Sequence, residues 1–168
     1  MNASLATQRP AAFGQSPAPA PRLHNVFTVS AAGERLGLPV DCVHTIFRVS
    51  KITPVPLGPP EVAGLVNLRG KIVTAVSLRR RLGLPDKGSH EGAIAIGIEH
   101  RGESFALLVD EVGDVVSVSD EARIPPPANL PASRLKLTAA VYRLDVDFIS
   151  VFDMDAVLDF GGAPAGRQ

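Results

Sequence analysis

Three consecutive arginines, Arg79, Arg80 and Arg81, form with Arg69 and Lys71 the densest charged group in the chain. A basic cluster of this kind binds nucleic-acid phosphates or contacts a protein surface. Small β-barrels that bind single strands add stacking aromatic side chains to a basic groove. The chain has no Trp, one Tyr and seven Phe, and none of these aromatics interleaves with the arginines. The cluster therefore favours a solvated face that contacts a protein, with single-stranded nucleic acid as the alternative.

The histidines and the cysteine do not have the arrangement of metal ligands. His24, His44, His90 and His100 are scattered, and no pair has the spacing His-x-His or His-x-x-x-His. Cys42 is the only cysteine, which excludes an internal disulfide and a multi-cysteine metal site. We expect it to be a small buried apolar side chain. No metal and no cofactor is predicted.

Paired carboxylates could serve acid–base catalysis, but both candidate pairs have structural explanations. Asp145 and Asp147 lie in a predicted turn, whereas Asp153 and Asp155 begin a predicted helix, where acids complement the helix dipole. The chain also lacks a glycine-rich phosphate loop and a nucleophile elbow. No catalytic residue is predicted. An enzyme is the third alternative, and it would require a pocket of converging titratable groups.

The overall composition is that of a globular protein without a strong electric field. The chain has 168 residues, 45% of them hydrophobic, and its 17 basic residues balance its 17 acidic ones. No window approaches the ~18 to 20 apolar residues of a membrane helix. The N-terminus also lacks the pattern of a secretory signal. These features predict a soluble cytoplasmic protein.

The first 22 residues differ from the rest of the chain. They are rich in Ala, Pro, Ser and Gln and show no hydrophobic periodicity, so we expect a disordered arm over residues 1–22. The folded region is expected over residues 23–160. Residues 161–168 are expected to form a flexible tail.

The first half of the folded region shows strand periodicity. Strands are predicted at residues 24–30 and 35–40, joined by a turn at Gly33. Residues 41–49 indicate a bent strand or a short helical turn, and the prolines of residues 54–60 indicate an extended linker. Residues 67–70 are then expected to form a turn that carries an exposed cation between two strands.

The second half continues the pattern. Strands are predicted at 93–98, 105–109 and 112–118, with a bend or bulge at Gly113. The carboxylates of Asp110, Glu111 and Asp114 are expected to be solvated and to protect a strand edge. A proline-rich connection at 119–138 is expected to be without structure and to pass between two halves. Two last strands and a short helix at 153–160 follow. Nine or ten short strands with little helix indicate an all-β barrel or sandwich.

One segment resembles a known family signature. GLVNLRGKIV, followed by SLRRRLGL, is similar to the CheW-like domain, the adaptor that couples chemoreceptors to the histidine kinase CheA in bacterial chemotaxis. The similarity extends to FTVSAAGERLGLPVDCVHTI, ITPVPLGPPEVAG, FALLVDEVGDVVSV and FISVFDMDAVL. It implies a non-catalytic protein with two small SH3-like five-stranded β-barrels that share a hydrophobic core, followed by a short C-terminal helix.

The resemblance also implies partners and a docking site. In such proteins a groove between the barrels receives the cytoplasmic hairpin tip of the receptor, and barrel surfaces dock onto the regulatory domain of the kinase. Such an adaptor is cytoplasmic, and it reaches membrane-associated receptor arrays only through the receptors. Carried over to this sequence, the partner-binding residues are Val43, Gly64, Asn67, Leu68, Arg69, Gly70, Val112 and Val115.

Two residues depart from the family pattern, and one role stays open. Thr74 and Ser77 stand where family members commonly have Pro and Asp, and the loss of the carboxylate is expected to leave the arginine patch more positive. Arg69 could donate hydrogen bonds to a partner or to backbone carbonyls that shape the turn. Both roles fit the sequence.

Overall fold

The structure is a computed structural model that describes residues 17–160. The predicted arm lies outside the described residues over 1–16, as does the whole predicted tail at 161–168. Residues 17–22 are exposed and form no regular secondary structure. Within the described range, none of the helices is long and apolar enough to cross a membrane.

Residues 17–160 form eleven strands and three helices of one turn each. The strands are β1 (Leu23–Ala31), β2 (Glu34–Pro39), β3 (Val43–Arg48), β4 (Val62–Leu68), β5 (Lys71–Ser77), β6 (Ile94–His100), β7 (Glu103–Val109), β8 (Glu111–Ser119), β9 (Arg123–Ile124), β10 (Thr138–Arg143) and β11 (Phe148–Phe152). The helices are α1 (Leu78–Arg81), α2 (Ala132–Leu135) and α3 (Met154–Val157). Two 3-10 turns precede β3 and β9, at Val40–Cys42 and Asp120–Ala122.

The strands form two sheets, and the strands of one sheet lie in sequence between two groups of strands of the other. A six-stranded sheet has the order β8-β1-β2-β11-β10-β9, and a five-stranded sheet has the order β3-β6-β7-β5-β4. The chain therefore begins in the six-stranded sheet, builds the whole five-stranded sheet, and returns to complete the first. Only β2–β11 and β5–β7 are parallel pairs among the described strands.

A single apolar core joins the two sheets. Leu38 and Phe152 come from the six-stranded sheet, and Ile96 and Leu107 from the five-stranded sheet, yet all four belong to one cluster of buried side chains. Each is at most 2% exposed. A smaller cluster lies within each sheet. Because residues far apart in sequence share the main core, neither sheet can bury its apolar face without the other.

The predicted all-β class with a shared core is confirmed. The bend at Gly113 is also present, because the pairing of β1 with β8 shifts register between Phe27 and Val29. One sheet has the expected five strands. The other has six, since the two-residue β9 pairs with β10 through Ile124 and Val141. The residues at 41–49 form both of the expected structures, a 3-10 turn followed by β3.

The connection at 119–138 differs from the prediction. It contains a 3-10 turn, β9 and α2, and it joins β8 to β10, two strands of the six-stranded sheet. The segment therefore does not pass between two halves. Its prolines suggested an unstructured loop, but Pro131 precedes a helical turn in which its carbonyl oxygen accepts from the amides of Arg134 and Leu135. The last helix is also shorter than predicted and ends at Val157.

Candidate functional site

The turn of the β4–β5 hairpin contains only two residues. Asn67 and Leu68 are the last residues of β4, and Leu68 pairs directly with Lys71. Arg69 and Gly70 both have positive φ, 51° and 84°, as a tight right-twisted hairpin requires. The side-chain oxygen of Asn67 accepts a hydrogen bond from the amide of Gly70 at 2.8 Å. The expected turn is present, and Asn67 is the residue that holds it.

Arg69 lies at the tip of this hairpin with its guanidinium exposed. It has no hydrogen-bond or ion-pair partner among residues 17–160. The turn is stabilised by Asn67 instead, so Arg69 does not bond to the backbone carbonyls of its own turn. All five N–H donors of the guanidinium are therefore available to a partner molecule.

A groove of about 310 Å³ lies beside the turn. Its floor is at Gly97, where an added Cβ would lie 2.6 Å from Thr45 Cγ2 and 3.3 Å from Leu68 Cδ2. A glycine at this position therefore keeps the groove open. Its lining contains charges of both signs, since it includes the cations Arg69 and Lys71 and the carboxylate of Glu99. We call Leu68, Arg69, Lys71 and this groove the Arg69 surface.

Two other predicted site residues have different surroundings. Val43 is half-buried and pairs with Ile98, which lines the groove. Gly64 is buried at the far end of β4, where an added Cβ would lie 2.4 Å from the carbonyl oxygen of Thr53. Contact of Gly64 with a partner stays a prediction. Its φ of 150° and its close approach to Thr53 give it an internal role.

Val112 and Val115 lie on the other sheet. They belong to β8, an outer strand, and their exposed fractions are 37% and 51%. The bulge between them is fixed by Thr28, whose hydroxyl donates to the carbonyl oxygen of Asp114 at 2.7 Å. We call these two residues the valine strip. The predicted site residues thus form two separate surfaces, one on each sheet, and Gly64 belongs to neither.

The three arginines of α1 do not form the predicted solvated face. Their side chains are only 17–34% exposed, and each pairs with a different acid. Arg79 pairs with Asp110, Arg80 with Asp86, and Arg81 with Glu61. Two predictions are therefore wrong: the patch is neutralised rather than more positive, and Asp110 is an ion-pair partner rather than a solvated edge charge. One helical turn directs the three side chains to three separate loops.

Thr74 and Ser77, the two residues that depart from the family pattern, both belong to β5, and Ser77 also caps α1. Ser77 is buried, and its hydroxyl accepts a hydrogen bond from the amide of Arg80 at 3.3 Å, which caps α1. Thr74 pairs with Leu65 on one side and Phe105 on the other. The carboxylate that binds Arg79 is that of Asp110, at the end of a distant strand.

A second cavity, of about 350 Å³, contains several titratable groups that the sequence did not bring together. It is lined by Arg79, Asp86, Lys87, His90 and Asp110. The pKa of Asp110 falls from 3.8 to about 2 because Arg79 donates to it, although burial acts in the opposite direction. Burial raises the pKa of Asp86, but hydrogen bonds from Arg80 and the amide of Lys87 lower it overall. Both carboxylates are therefore ionised structural partners, unsuited to proton transfer near neutral pH.

The remaining reactive groups have internal partners. Each histidine lies near one acid, as in the pairs His24–Asp120 and His100–Asp155, and the described residues contain no group of three or more potential metal ligands. Burial raises the pKa of the Cys42 thiol to about 11. Its Sγ donates to the carbonyl oxygen of Pro39 at 2.9 Å. The thiol is therefore protonated at neutral pH, although Cys42 is half-buried rather than buried as expected.

Comparison with known proteins supports the same family throughout. The model of the CheW-like domain matches residues 25–160. A chemotaxis protein CheW of Bacillus subtilis is 28% identical over 134 residues, which cover 80% of this chain and 85% of the relative. A CheW of Treponema pallidum is 25% identical over 127 residues, covering 73% and 75% of the two chains.

A solved structure has the same fold. The scaffolding protein TtCheW from Thermoanaerobacter tengcongensis superposes with a TM-score of 0.69 at 26% identity, covering 79% of this chain and 90% of that one. The expected SH3-like architecture and the expected adaptor function in chemotaxis are confirmed by these relationships. The chain therefore belongs to the CheW-like domain family, and its function is that of a chemotaxis scaffold rather than of an enzyme.

Proposed function

We propose that this adaptor couples a chemoreceptor to a CheA-type histidine kinase by binding each through a different sheet. The valine strip binds the cytoplasmic hairpin tip of the receptor. The Arg69 surface binds the regulatory domain of the kinase. The two surfaces lie on different sheets of one shared core, so both partners can be held at the same time.

The observation that carries this proposal is the unpaired guanidinium of Arg69 on a rigid hairpin tip. Both residues of the turn have positive φ, and the side chain of Asn67 holds them in place. A partner carboxylate would gain a bidentate charge-assisted contact with little loss of hydrogen bonding elsewhere. Arginine is also one of the residues that dominate binding energy at protein interfaces.

The receptor site follows from the apolar character of the valine strip. Val112 and Val115 are exposed on an outer strand whose second edge is unpaired within the described residues. An apolar helix face of a receptor hairpin would cover these side chains and bury surface that is now in water. Val43, half-buried beside the groove, would support the Arg69 surface from below.

The proposal extends to the location and the extent of the working unit. Residues 23–160 act as one docking unit, consistent with the family match over 25–160. The adaptor works in the cytoplasm and is recruited to membrane-associated receptor arrays through the receptor alone. Its interfaces are of moderate size, because signalling assemblies exchange their components.

Arg69→Ala in the full chain tests the kinase surface, with binding to the purified regulatory domain measured by calorimetry. We expect affinity to fall about tenfold, since a central interface arginine contributes more than 1 kcal/mol. Arg101→Ala controls for the backbone alone, because Arg101 and Gly102 form the equivalent two-residue turn between β6 and β7, with φ of 52° and 79°, whereas Arg101 Nε also pairs with Asp155 at 2.9 Å. Any backbone cost of alanine at positive φ is therefore the same in both variants.

Three outcomes decide the test. Loss of kinase affinity in Arg69→Ala alone, at unchanged thermal stability, supports the assignment. Equal affinity in wild type and Arg69→Ala, or a loss that only follows the folded fraction, contradicts it. If the wild-type chain binds neither a soluble receptor hairpin nor the regulatory domain, the coupling function itself is wrong.

Most of the basic cluster that suggested nucleic-acid binding is not available to a nucleic acid. Three of the five cations that suggested it are ion-paired within the fold. Of the five, Arg69 and Lys71 alone remain exposed, and the exposed aromatic side chain among residues 17–160, Phe148, lies on the other sheet. A titration of the chain with a fluorescent oligonucleotide at low salt tests nucleic-acid binding directly. Binding that weakens steeply with added salt would support that alternative.

A further inference from the structure

Asp110 occupies the point at which the chain passes from one sheet to the other. It is the single residue between β7 of the five-stranded sheet and β8 of the six-stranded sheet. Its amide donates to the carbonyl oxygen of Ser30 at 3.0 Å, and its carboxylate accepts from the amide of Ala32 at 2.7 Å. Both partners belong to the β1–β2 hairpin. Asp110 is thus anchored to the six-stranded sheet through its backbone and its side chain.

The cations that hold Asp110 come from the five-stranded side. Arg79 of α1 donates through Nε at 3.0 Å and through Nη2 at 2.7 Å, a bidentate contact. The remaining Nη1 donates to the carbonyl oxygen of Pro85 at 2.9 Å, which fixes the guanidinium from behind. Lys87 Nζ lies 3.3 Å from the same carboxylate. Because the carboxylate and the guanidinium are 14% and 20% exposed, solvent screens this contact only in part.

The anchored residue is followed directly by the strand that contains the valine strip. Glu111 pairs with Ser30, and Val112 pairs with Val29, so β8 begins at the position that Asp110 sets. The side chain of Asp110 is therefore the described link between α1 and the start of β8. A shift of this residue would move Val112 relative to the five-stranded sheet.

We infer that Arg79 and Asp110, called here the junction pair, are positioning residues that set the valine strip relative to the Arg69 surface. This inference rests on the proposed function, because it concerns how one partner site is held with respect to the other. Neither residue touches a partner. The junction pair acts through β8, whose bulge and exposed valines it keeps in the orientation that a receptor hairpin requires.

The neighbouring arginines of α1 make different contacts. Arg80 pairs with Asp86 and donates to the carbonyl oxygens of Pro60 and Val62, all on loops or strands of the five-stranded side. Arg81 donates to the carbonyl oxygens of Ala156 and Asp159 at the C-terminal end. Only Arg79 of the three contacts the β7–β8 junction. Arg80 therefore provides a matched control with the same charge, helix and type of partner.

The test compares Arg79→Gln, Arg79→Lys and Arg80→Gln in the full chain by amide hydrogen exchange and by binding to a soluble receptor hairpin. In Arg79→Gln we expect amides of residues 111–116 to exchange at least about tenfold faster relative to those of β6, since a charge-assisted contact is removed. Receptor affinity falls by about the same factor, while kinase affinity is kept. Arg79→Lys, which retains the charge, lies between wild type and Arg79→Gln.

The outcomes separate a positioning role from a purely structural one. Faster exchange confined to β8 in Arg79→Gln, and absent in Arg80→Gln, supports the inference. Exchange that rises equally in all strands, or does not rise in β8, overturns it. If Arg79→Gln does not fold, Arg79→Lys decides by the same comparison. If the wild type binds no receptor hairpin, the proposed function fails, and the exchange data still decide whether the junction pair positions β8.

Discussion

Arg69 and Arg79 have the same charge and opposite surroundings. Arg79 is held by Asp110 and the carbonyl oxygen of Pro85, so its donors are used inside the fold. Arg69 has no partner among the described residues and lies at an exposed turn. An arginine that already has a buried carboxylate gains little from a second one, whereas an unpaired arginine can contribute its full charge to an interface. The residue type alone does not distinguish these roles.

The pKa of Asp110 gives a prediction at the residue scale. Because its pKa is about 2 in the folded chain, below the ordinary 3.8, its contribution to stability is complete above pH ~4 and is lost as the pH falls towards 2. Allowing for partial solvent screening, we expect Asp110→Asn to lower the free energy of unfolding by about 1 kcal/mol at pH 6. Urea unfolding of both proteins from pH 6 to pH 2.5 should show this difference shrinking with acid.

Asp114→Asn is the control for that experiment. Asp114 is exposed on the same strand region, and its carboxylate has no ion-pair partner within residues 17–160. Its substitution should lower the free energy of unfolding at pH 6 much less than Asp110→Asn does. A difference for Asp110→Asn that stays constant between pH 6 and pH 2.5 would show that the carboxylate charge does not stabilise the fold.

At the scale of elements, the hairpin turns could be predicted from the sequence, whereas the ion pairs could not. The pairs Arg69–Gly70 and Arg101–Gly102 both lie between apolar strands, a local pattern that predicts a tight turn. Arg79 and Asp110 are 31 positions apart, and their contact depends on how α1 packs against the β7–β8 junction. Local patterns carry no information on such contacts, so the arginines of α1 were wrongly expected to be solvated.

The floor of the groove at the Arg69 surface gives a second prediction. Gly97→Ala should place a methyl group 2.6 Å from Thr45 Cγ2, which forces the β3–β6 pair or Leu68 to move. We expect a loss of about 1 to 3 kcal/mol in the free energy of unfolding, as for other overpacked sites, with weaker binding of the kinase regulatory domain. Urea unfolding and calorimetric binding measure the two effects.

A second-site variant checks the physical reason for this effect. Thr45→Ser removes the methyl group that the new side chain would meet, so the double variant should recover most of the lost stability. If Thr45→Ser does not restore Gly97→Ala, contact with Thr45 is not the cause. If Gly97→Ala is as stable as wild type and binds the kinase equally well, the groove has room that the structure does not indicate.

For the whole molecule, the interleaved order of the strands determines how the two sheets depend on each other. The five-stranded sheet is built entirely from residues between β2 and β8, so the six-stranded sheet consists of two chain segments, one before and one after it in sequence. Short alternating segments in the sequence predicted the all-β class. The pairing of strands from opposite ends, such as β2 with β11, is non-local and could be expected only from the family resemblance.

The shared core predicts that the two sheets unfold as one unit. Leu107 of β7 and Leu38 of β2 are fully buried in the same cluster, and the single tyrosine, Tyr142, lies in the six-stranded sheet. Leu107→Ala should therefore cost about 2 to 5 kcal/mol and shift the tyrosine-fluorescence and circular-dichroism transitions in urea together, as Leu38→Ala should. Val146→Ala, at a 99% exposed side chain, should shift neither. A tyrosine transition unchanged by Leu107→Ala would mean that the sheets unfold independently, and the positions of the two partner surfaces would then not be tied together by the core.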